Sequence, residues 1–473
     1  MPDIERNEPT PPADESAGVF ARVGGRLADW CERWFPDAFV FALLSLLIVF
    51  GAGLFTGARP RELVKFFGDG FWSLIPFTLQ MAMAIVGGYT VATSPPLYRV
   101  ICRLAAIPKR PRAAIAFVAF FAAFSSLLHW AFSPIFSGLL VREIVKRIPG
   151  VDYRAAGAAA SLGTGSVWAL GLSSSAALLM ATPSSVPAAL MKISGIIPLT
   201  QTIYTWQSMV TAVILIAASV IVAYLSAPAY SSRTAESFGI IHTTAPVESP
   251  KQRTPAEWLE YAPVLSVVVG VLGFAYLGQV FSSRGPLAAL DLNTYNFFFL
   301  MSGLLLHWRP RSFTRAVNES VSAAAGILVQ FPFYGGIFGL ITMTSISTHL
   351  AHFFVRVSSQ ATYPLLVGLY SAVLGVFIPS GGSKWIIEAP YVLQAANDLH
   401  VNLGWTVQIY NISEALPNLI NPFWMLPLLG ILKSRARELV GYGILQLAVH
   451  SVLVFFLIWF FARTIPYVPP VIP

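Results

Sequence analysis

The stretch "PSGGSKWIIEAP" (379–390) interrupts a run, Tyr363 to Ile378, that is almost wholly apolar. A proline, two glycines, a lysine and a glutamate stand where lipid-facing residues would be expected to continue. In a bilayer every backbone polar group needs an internal partner. Irregular backbone at membrane depth is therefore tolerated only where it is buried in protein or lines a cavity. Lys384 is the sharpest residue of the stretch, the single basic side chain well inside an apolar span. A charge at the bilayer centre costs about 2.5–3.5 kcal/mol on insertion scales, so such residues mark function more often than packing. Glu388 follows four positions later, on the same helix face if the segment is helical. Two readings stand side by side. The pair neutralises itself and serves packing, or Lys384 draws in an anion while Glu388 tunes its charge.

Composition widens the argument. Of 473 residues, 56% are hydrophobic and only 11% charged, about half the charged share of a soluble domain. This points to an all-α polytopic membrane protein and away from a soluble enzyme. The net charge of +8 reads as Lys and Arg in cytoplasmic loops, not as a nucleic-acid surface. Cys31 and Cys102 are far apart in sequence, which supports neither a disulfide framework nor a zinc site. No cofactor or metal is expected.

Residues 1–18 are rich in Pro, Glu and Asp and read as a disordered tail, not a cleavable signal. Over 19–35, Phe20, Val23, Leu27, Trp30 and Trp34 recur at helical spacing with Arg22, Arg26 and Arg33 between them. The pattern predicts an interfacial amphipathic helix, the alternative being an ordinary solvated one. Clear spans lie near 36–57, 70–93, 203–226, 261–282, 293–308 and 439–462. Four further stretches carry breakers at membrane depth: 113–141, 155–181 with "GTGSVWALGLSSS", 323–355 with "QFPFYGGIFG", and 362–389. The run "LPNLINPFWMLPLLGIL" (416–432) is a fifth.

A polar connection, 226–260, divides a first membrane half (36–225) from a second (261–465), with a tail at 466–473. A shift of 207 positions lays Ser173 over Ser380 and "SSSAALLMATP" over "SGGSKWIIEAP". Identity is low, and chance similarity of apolar segments competes with an internal repeat. Basic residues flank 113–141 on both sides, Lys109, Arg110 and Arg112 before it and Arg142, Lys146 and Arg147 after. That predicts a re-entrant hairpin and inverted halves. The same reading places 226–260 and the Arg309, Arg311, Arg315 cluster outside, against the positive-inside rule, whereas a single crossing by 113–141 places those loops inside and Arg142, Lys146 and Arg147 outside.

A helix ending inside the membrane exposes unpaired N–H groups, and its N-terminus attracts anions. Ser173, Ser174 and Ser175 would offer hydroxyls from one half. Ser380, Gly381, Gly382, Ser383, Lys384 and Trp385 would complete a substrate site from the other. Close packing through small residues is the competing reading. Glu388, Asn411, Glu414, Asn418 and Asn421, around Pro417 and Pro422, are candidates to hold a cation or a proton. A polar loop at the membrane surface is their alternative. His129 is a weaker candidate, since a lone histidine more often serves packing. No nucleotide-binding, metalloprotease or serine-hydrolase motif occurs in a fitting context, so an enzyme is not expected.

"GDGFWSLIPFTLQMAMAIVGGY" (68–89), "REIVKRIPGVDY" (142–153), "AGILVQFPFYGGI" (325–337) and "PSGGSKWIIEAP" (379–390) resemble the short-chain fatty acid transporter family, the AtoE type, over about residues 30–463. "SKW…AP" followed by "QIYNISEALPNLINP" is also similar to the more distant p-aminobenzoyl-glutamate transporter (AbgT) family of the same ion-transporter superfamily. The resemblance implies inverted repeats, re-entrant hairpins and secondary transport of anions. It carries substrate or coupling roles to Ser383, Lys384, Trp385 and Glu414. The relative's arginine and aspartate in the following helix are replaced by less charged residues around Tyr410–Ser413, which speaks against a larger, more anionic substrate.

The expectation is thus a multi-pass secondary transporter of short-chain monocarboxylates, of the butyrate and acetoacetate class, in a bacterial inner membrane. A proton or sodium ion is the expected coupling partner, lipid surrounds the chain, and homo-oligomers are allowed. An exporter of aromatic amides and a non-transporting scaffold or sensor are the alternatives.

Overall fold

The computed structural model describes residues 38–238, 254–378 and 380–472. The expected tail at 1–18 and interfacial helix at 19–35 lie outside the described residues, as do 239–253 of the connection. Among the described residues the chain is helical, with no strand. Seven stretches are long and apolar enough to cross a membrane: Pro60–Ala92, Pro111–Leu128, Tyr153–Ala181, Trp206–Ser226, Pro255–Arg284, Ala324–Thr342 and Ala436–Ala462. A bent pair, Leu403–Leu419 with Trp424–Leu432, makes an eighth if counted as one. The protein is an all-α polytopic membrane protein.

The first helices are α1 (Ala38–Phe55), α2 (Pro60–Ser73), α3 (Ile75–Ala92) and the short α4 (Pro95–Leu104). Next come α5 (Pro111–Leu128) and α6 (Phe132–Val145), then α7 (Tyr153–Ser166), a 3-10 turn at Trp168–Leu170, α8 (Ser175–Ala181), α9 (Ala188–Ser194) and α10 (Trp206–Ser226). After the connection, α11 (Pro255–Tyr261), α12 (Val264–Arg284) and α13 (Leu292–His307) lead into α14 (Pro310–Thr342) and α15 (Ile346–Val357). The chain closes with α16 (Tyr363–Phe377), α17 (Gly381–Asp398), α18 (Leu403–Glu414), a 3-10 turn at Leu416–Leu419, α19 (Pro422–Leu432) and α20 (Ala436–Ala462).

Local chemistry sets many of these ends. Proline opens α2, α4, α5, α11, α14 and α19, where its missing N–H is not needed. Asp152, Thr205, Asp291 and Asn402 cap α7, α10, α13 and α18 through their side chains, each cap contributing about 1 kcal/mol.

All five stretches with breakers do break, but 323–355 does so at 343–345, beyond its Pro and Gly run. Residues 113–141 split at 129–131, 155–181 at the first 3-10 turn, 362–389 at 378–380, and 416–432 between its 3-10 turn and α19. "QFPFYGGIFG" instead lies within a continuous α14 that passes through Pro332. Its glycines serve contact. A Cβ on Gly335 would lie 2.6 Å from the Gly70 carbonyl oxygen, and one on Gly339 2.3 Å from that of Phe66. The small-residue packing reading wins there.

An internal repeat is present in a different register from the one the sequence suggested. The order of helix pair α5/α6, broken helix α7–α8 and long helix α10 recurs as α16/α17, α18–α19 and α20. Packing recurs with it. α5 packs on α7 as α16 packs on α18, α5 on α10 as α16 on α20, and α6 on α19 as α17 on α8. Phe132 therefore corresponds to Gly381, and the 207-residue shift that laid Ser173 over Ser380 is incorrect. Similar serines, small residues and prolines occur at both kinds of break, so a shift by one element still matched them.

The two pairs open at opposite ends of the molecule. Lys109 and Arg147, beyond the outer ends of α5 and α6, line one groove. Gln360, before α16, donates a 2.7 Å hydrogen bond to the carbonyl of His400, after α17. The first end is tied together by Arg112 to the Ala227 carbonyl (2.8 Å), Tyr153 N–H to that of Arg233 (2.9 Å) and Tyr153 hydroxyl to that of Leu432 (2.8 Å). Tyr98 on α4 donates to Glu143 there, and His307 meets the Thr90 carbonyl just before α4. The opposite end joins Asn402 to the Pro466 carbonyl (2.9 Å) and Gln207 to Thr464 (3.1 Å). The segments around 226–238 and Arg309–Arg315 thus share one end with Lys109–Arg112 and Lys146–Arg147. Arg311 also meets Glu260 at 3.7 Å. The expected conflict with the positive-inside rule disappears, because α7–α9 together make one passage before α10 returns.

Candidate functional site

The tip of α16/α17 meets the breaks of both discontinuous helices. Gly381 and Gly382 open α17, and each is glycine because a neighbour leaves no room. A Cβ on Gly381 would lie 2.2 Å from Cη2 of Trp168, in the first break, and 3.5 Å from Oε2 of Glu414, at the end of α18. A Cβ on Gly382 would lie 2.7 Å from Cζ of Phe77 and 3.2 Å from Cβ of Ser175. The glycines let two discontinuous helices and α3 converge on one helix start.

Lys384, one turn in, is fully buried. Its ammonium donates to the Ser371 carbonyl at 2.7 Å, lies 3.5 Å from Glu388 Oε1 and sits 4.7 Å above the Tyr410 ring. Ser371 donates its hydroxyl to Glu388 Oε2 at 2.6 Å. A helix N-terminus already carries positive partial charge and favours anions. A lysine in this turn is therefore placed against helix preference, and Glu388 one turn on balances it. Trp385 packs on Tyr410 at 4.8 Å between ring centroids, and Tyr410 donates to the Gly381 carbonyl at 2.6 Å.

Glu414 is the other charged group at this tip. It is fully buried, and neither carboxylate oxygen has a hydrogen-bond partner. Along the same segment the Ser413 hydroxyl, which faces Gly368, and the Asn418 Oδ1 are also buried without partners. Buried polar atoms are nearly always paired in folded proteins, so the bare Glu414 carboxylate is the most unusual polar feature of the site.

The remaining sequence candidates separate. Ser173 donates its hydroxyl to the Ser126 carbonyl and so ties the first break to α5. Ser174 caps α8, accepting from the Ala177 N–H at 3.1 Å. Of the three serines, Ser175 is the one beside Gly382. Ser383 donates to the Ser380 hydroxyl. Asn411 turns to Gln408 (2.7 Å), which reaches Ser208 (2.9 Å), and so belongs to a different network. Asn418 donates to the Thr164 carbonyl at 3.2 Å, and the Asn421 N–H donates to that of Pro417 at 2.9 Å. His129 sits at the α5/α6 tip, its Nε2 buried without a partner. Its Nδ1 accepts from the Ala131 and Phe132 N–H groups at the α5/α6 tip, and its ring stacks on Tyr295 at 5.2 Å. Among the described residues no cluster of metal-ligating side chains occurs.

Ser371, Tyr410, Phe77 and Gly375 were not singled out from the sequence. Gly375 admits Pro417, since a Cβ there would lie 2.9 Å from Pro417 Cγ, and it stands beside Lys384 Nζ. Ser371 is one isolated hydroxyl in an apolar helix and carries no motif. Its role becomes visible only once α16 lies beside α17.

The model of the family described as "Short chain fatty acid transporter" matches residues 19–461. The chain belongs to the short-chain fatty acid transporter family. It is 33% identical over 438 residues, 92% of this chain and 98% of the other, to a candidate short-chain fatty acid transporter of Escherichia coli (strain K12). A second, from Haemophilus influenzae, is 32% identical over 432 residues, 90% and 96% of the two chains. The fold is similar to the YdaH transporter of Alcanivorax borkumensis, described as having an unusual topology, at a TM-score of 0.54 and 14% identity over 92% of this chain and 100% of that one. It is also similar to MtrF of Neisseria gonorrhoeae, described with a class of antimetabolite efflux pumps, at 0.55 and 12% over 94% and 98%. At such identities these two likenesses speak to the fold. As a family member the protein is a multi-pass transporter of a small molecule.

Proposed function

We propose that the protein is a secondary active transporter of short-chain monocarboxylates, such as butyrate or acetoacetate, across the bacterial inner membrane, coupled to a proton or sodium ion. The observation that carries this reading is the charge balance at the α17 tip. One buried ammonium, Lys384, stands with two buried carboxylates, Glu388 and Glu414. With all three ionised the site holds one excess negative charge. A substrate carboxylate adds another, and unpaired charge in a low-dielectric interior is costly. A cation must therefore accompany the substrate. The unpartnered Glu414 oxygens are the groups to accept it, with Asn418 a second candidate.

In this reading the substrate carboxylate binds at the start of α17, beside Ser175 and the Gly381–Ser383 backbone, once the close contacts of Gly381 with Trp168 and of Gly382 with Phe77 open, and Trp168 and Trp385 flank its apolar tail. Asn411 is better assigned to support of α18, and His129 to the α5/α6 tip. The end carrying Lys109–Arg112, Lys146 and Arg147 is cytoplasmic by the positive-inside rule. The two membrane halves, 36–225 and 261–465, supply one hairpin each. An efflux pump of aromatic amides is the second reading, favoured by the MtrF-like fold. One lysine against two carboxylates makes a polyanionic cargo the harder one to neutralise. A scaffold or sensor would show no flux. Uptake of labelled butyrate and acetoacetate into proteoliposomes, with proton and sodium gradients imposed separately, tests the proposal.

A further inference from the structure

A cavity of about 370 Å³ lies between α2, α14 and the segment Ser184–Ala189, near the lower limit of the roughly 300–1,000 Å³ typical of ligand clefts. It sits toward the end opposite the basic loops. Met343, just past α14, lines it, and the neighbouring Thr182 hydroxyl accepts from the Leu292 N–H at 3.0 Å. No charged side chain lines it. Of its hydroxyls, Ser73 and Thr342 donate to the Gly70 and Phe338 carbonyls and Ser185 to Gln80, while Ser184 accepts from Asn293 at 3.4 Å; Phe77 and Phe338 offer apolar surface.

Phe77 joins this cavity to the α17 tip. The residue borders the cavity, while its ring edge reaches the position that a Cβ on Gly382 would take, at 2.7 Å. The ring is buried and stacks on Phe331 at 5.8 Å between centroids. Three residues further along α3, Gln80 is held in place. Its amide oxygen accepts from Ser185 at 2.9 Å, and its amide nitrogen donates to Asn293 at 2.7 Å. The helix and the cavity wall are thus bonded together, and the Phe77 ring is what separates the cavity from Gly382.

We infer that this cavity is the access vestibule through which a short-chain monocarboxylate reaches the α17 tip, and that Phe77 sets the chain length admitted. The inference rests on the transport reading above. A neutral cavity does not trap an anion, the Ser184 hydroxyl keeps a proton to donate to a single carboxylate, and the small volume excludes long tails. The ring must turn off Gly382 for the carboxylate to pass. The space it vacates is the space a tail can occupy.

Two measurements test it. In a chain with Cys31→Ser, Cys102→Ser and Ser175→Cys, labelling by a charged, membrane-impermeant methanethiosulfonate is followed from the side opposite the basic loops. Phe77→Ala and the milder Phe77→Leu should each speed labelling, the former by about tenfold, the scale on which one methylene of fit is discriminated. In the chain with native Ser175, octanoate should compete with labelled butyrate about tenfold better in Phe77→Ala than in the parent. Unchanged labelling in both variants overturns the path, whatever the transport result. Faster labelling with an unchanged chain-length profile overturns the specificity role. Faster labelling in a chain whose parent moves no butyrate leaves the path standing and overturns the transport reading instead.

Discussion

Lys384 Nζ and Glu388 Oε1 lie 3.5 Å apart, one helical turn from each other on α17, and neither side chain has any exposed surface. Ser371 holds both, accepting from the lysine through its carbonyl and donating to the glutamate through its hydroxyl. The lysine is thus already neutralised before any substrate arrives. An anion at the α17 tip meets a pre-paired site, and the pair must share it.

Removing one partner of such a pair leaves a buried charge, a loss of about 3–5 kcal/mol in comparable cases. Lys384→Ala should abolish butyrate uptake and lower the melting temperature. The Lys384→Ala, Glu388→Ala double variant should recover most of the melting temperature and none of the uptake. Fluorescence-detected melting and proteoliposome flux on the same preparations separate the two effects. Uptake returning in the double variant would make the pair purely structural.

Glu414→Gln keeps the shape of the side chain and removes its charge. If Glu414 accepts the coupling cation, the variant should still exchange butyrate for butyrate across the membrane, while net uptake no longer follows the imposed ion gradient. Gradient-driven uptake at the parent level would remove Glu414 from the coupling step.

The three serines at the first break should part company. Cysteine at Ser175, beside Gly382, should be shielded from thiol reagents by butyrate. Ser173→Ala should act on stability, because the Ser173 hydroxyl bonds the Ser126 carbonyl and does not face the α17 tip. A substrate affinity changed several-fold by Ser173→Ala, with melting unaltered, would contradict this division.

Gly163 tests packing alone. A Cβ there would lie 2.2 Å from the Ala122 carbonyl oxygen, where the broken helix meets α5. Backbone cannot step aside as a flexible side chain can, so Gly163→Ala should cost about 1–3 kcal/mol. Melting of purified protein in detergent reads this directly, and an unshifted transition would refute the contact.

Much of this architecture was legible in the sequence because breakers in apolar runs are rare and physically costly. The breaks at 168–174, 378–380 and around Pro417–Pro422 are marked by Pro, Gly, Ser or Asn, and the one at 129–131 by the flanking Ser125, Ser126, Ser133 and Pro134. Lys384 announced itself by charge alone. Register was harder, because small residues recur at every break. The "QFPFYGGIFG" stretch misled for the same reason. Glycines that admit a neighbouring helix and glycines that end one look alike until Gly70 is seen against Gly335. Ser371 and Phe77 were invisible because their meaning lies in partners on other helices. Ser173, Ser174 and Ser175 read as one cluster, although each points to a different partner.

The central claim, that one monocarboxylate is carried with a cation, is tested most directly by labelled butyrate flux in proteoliposomes. Empty liposomes correct for passage of the protonated acid through lipid. The account predicts saturable uptake driven by an imposed proton or sodium gradient, strengthened from acetate to butyrate by about fourfold per added methylene, weakly inhibited by succinate and absent in Lys384→Ala. Flux no greater than in empty liposomes under either gradient, or succinate competing as well as butyrate, would contradict it.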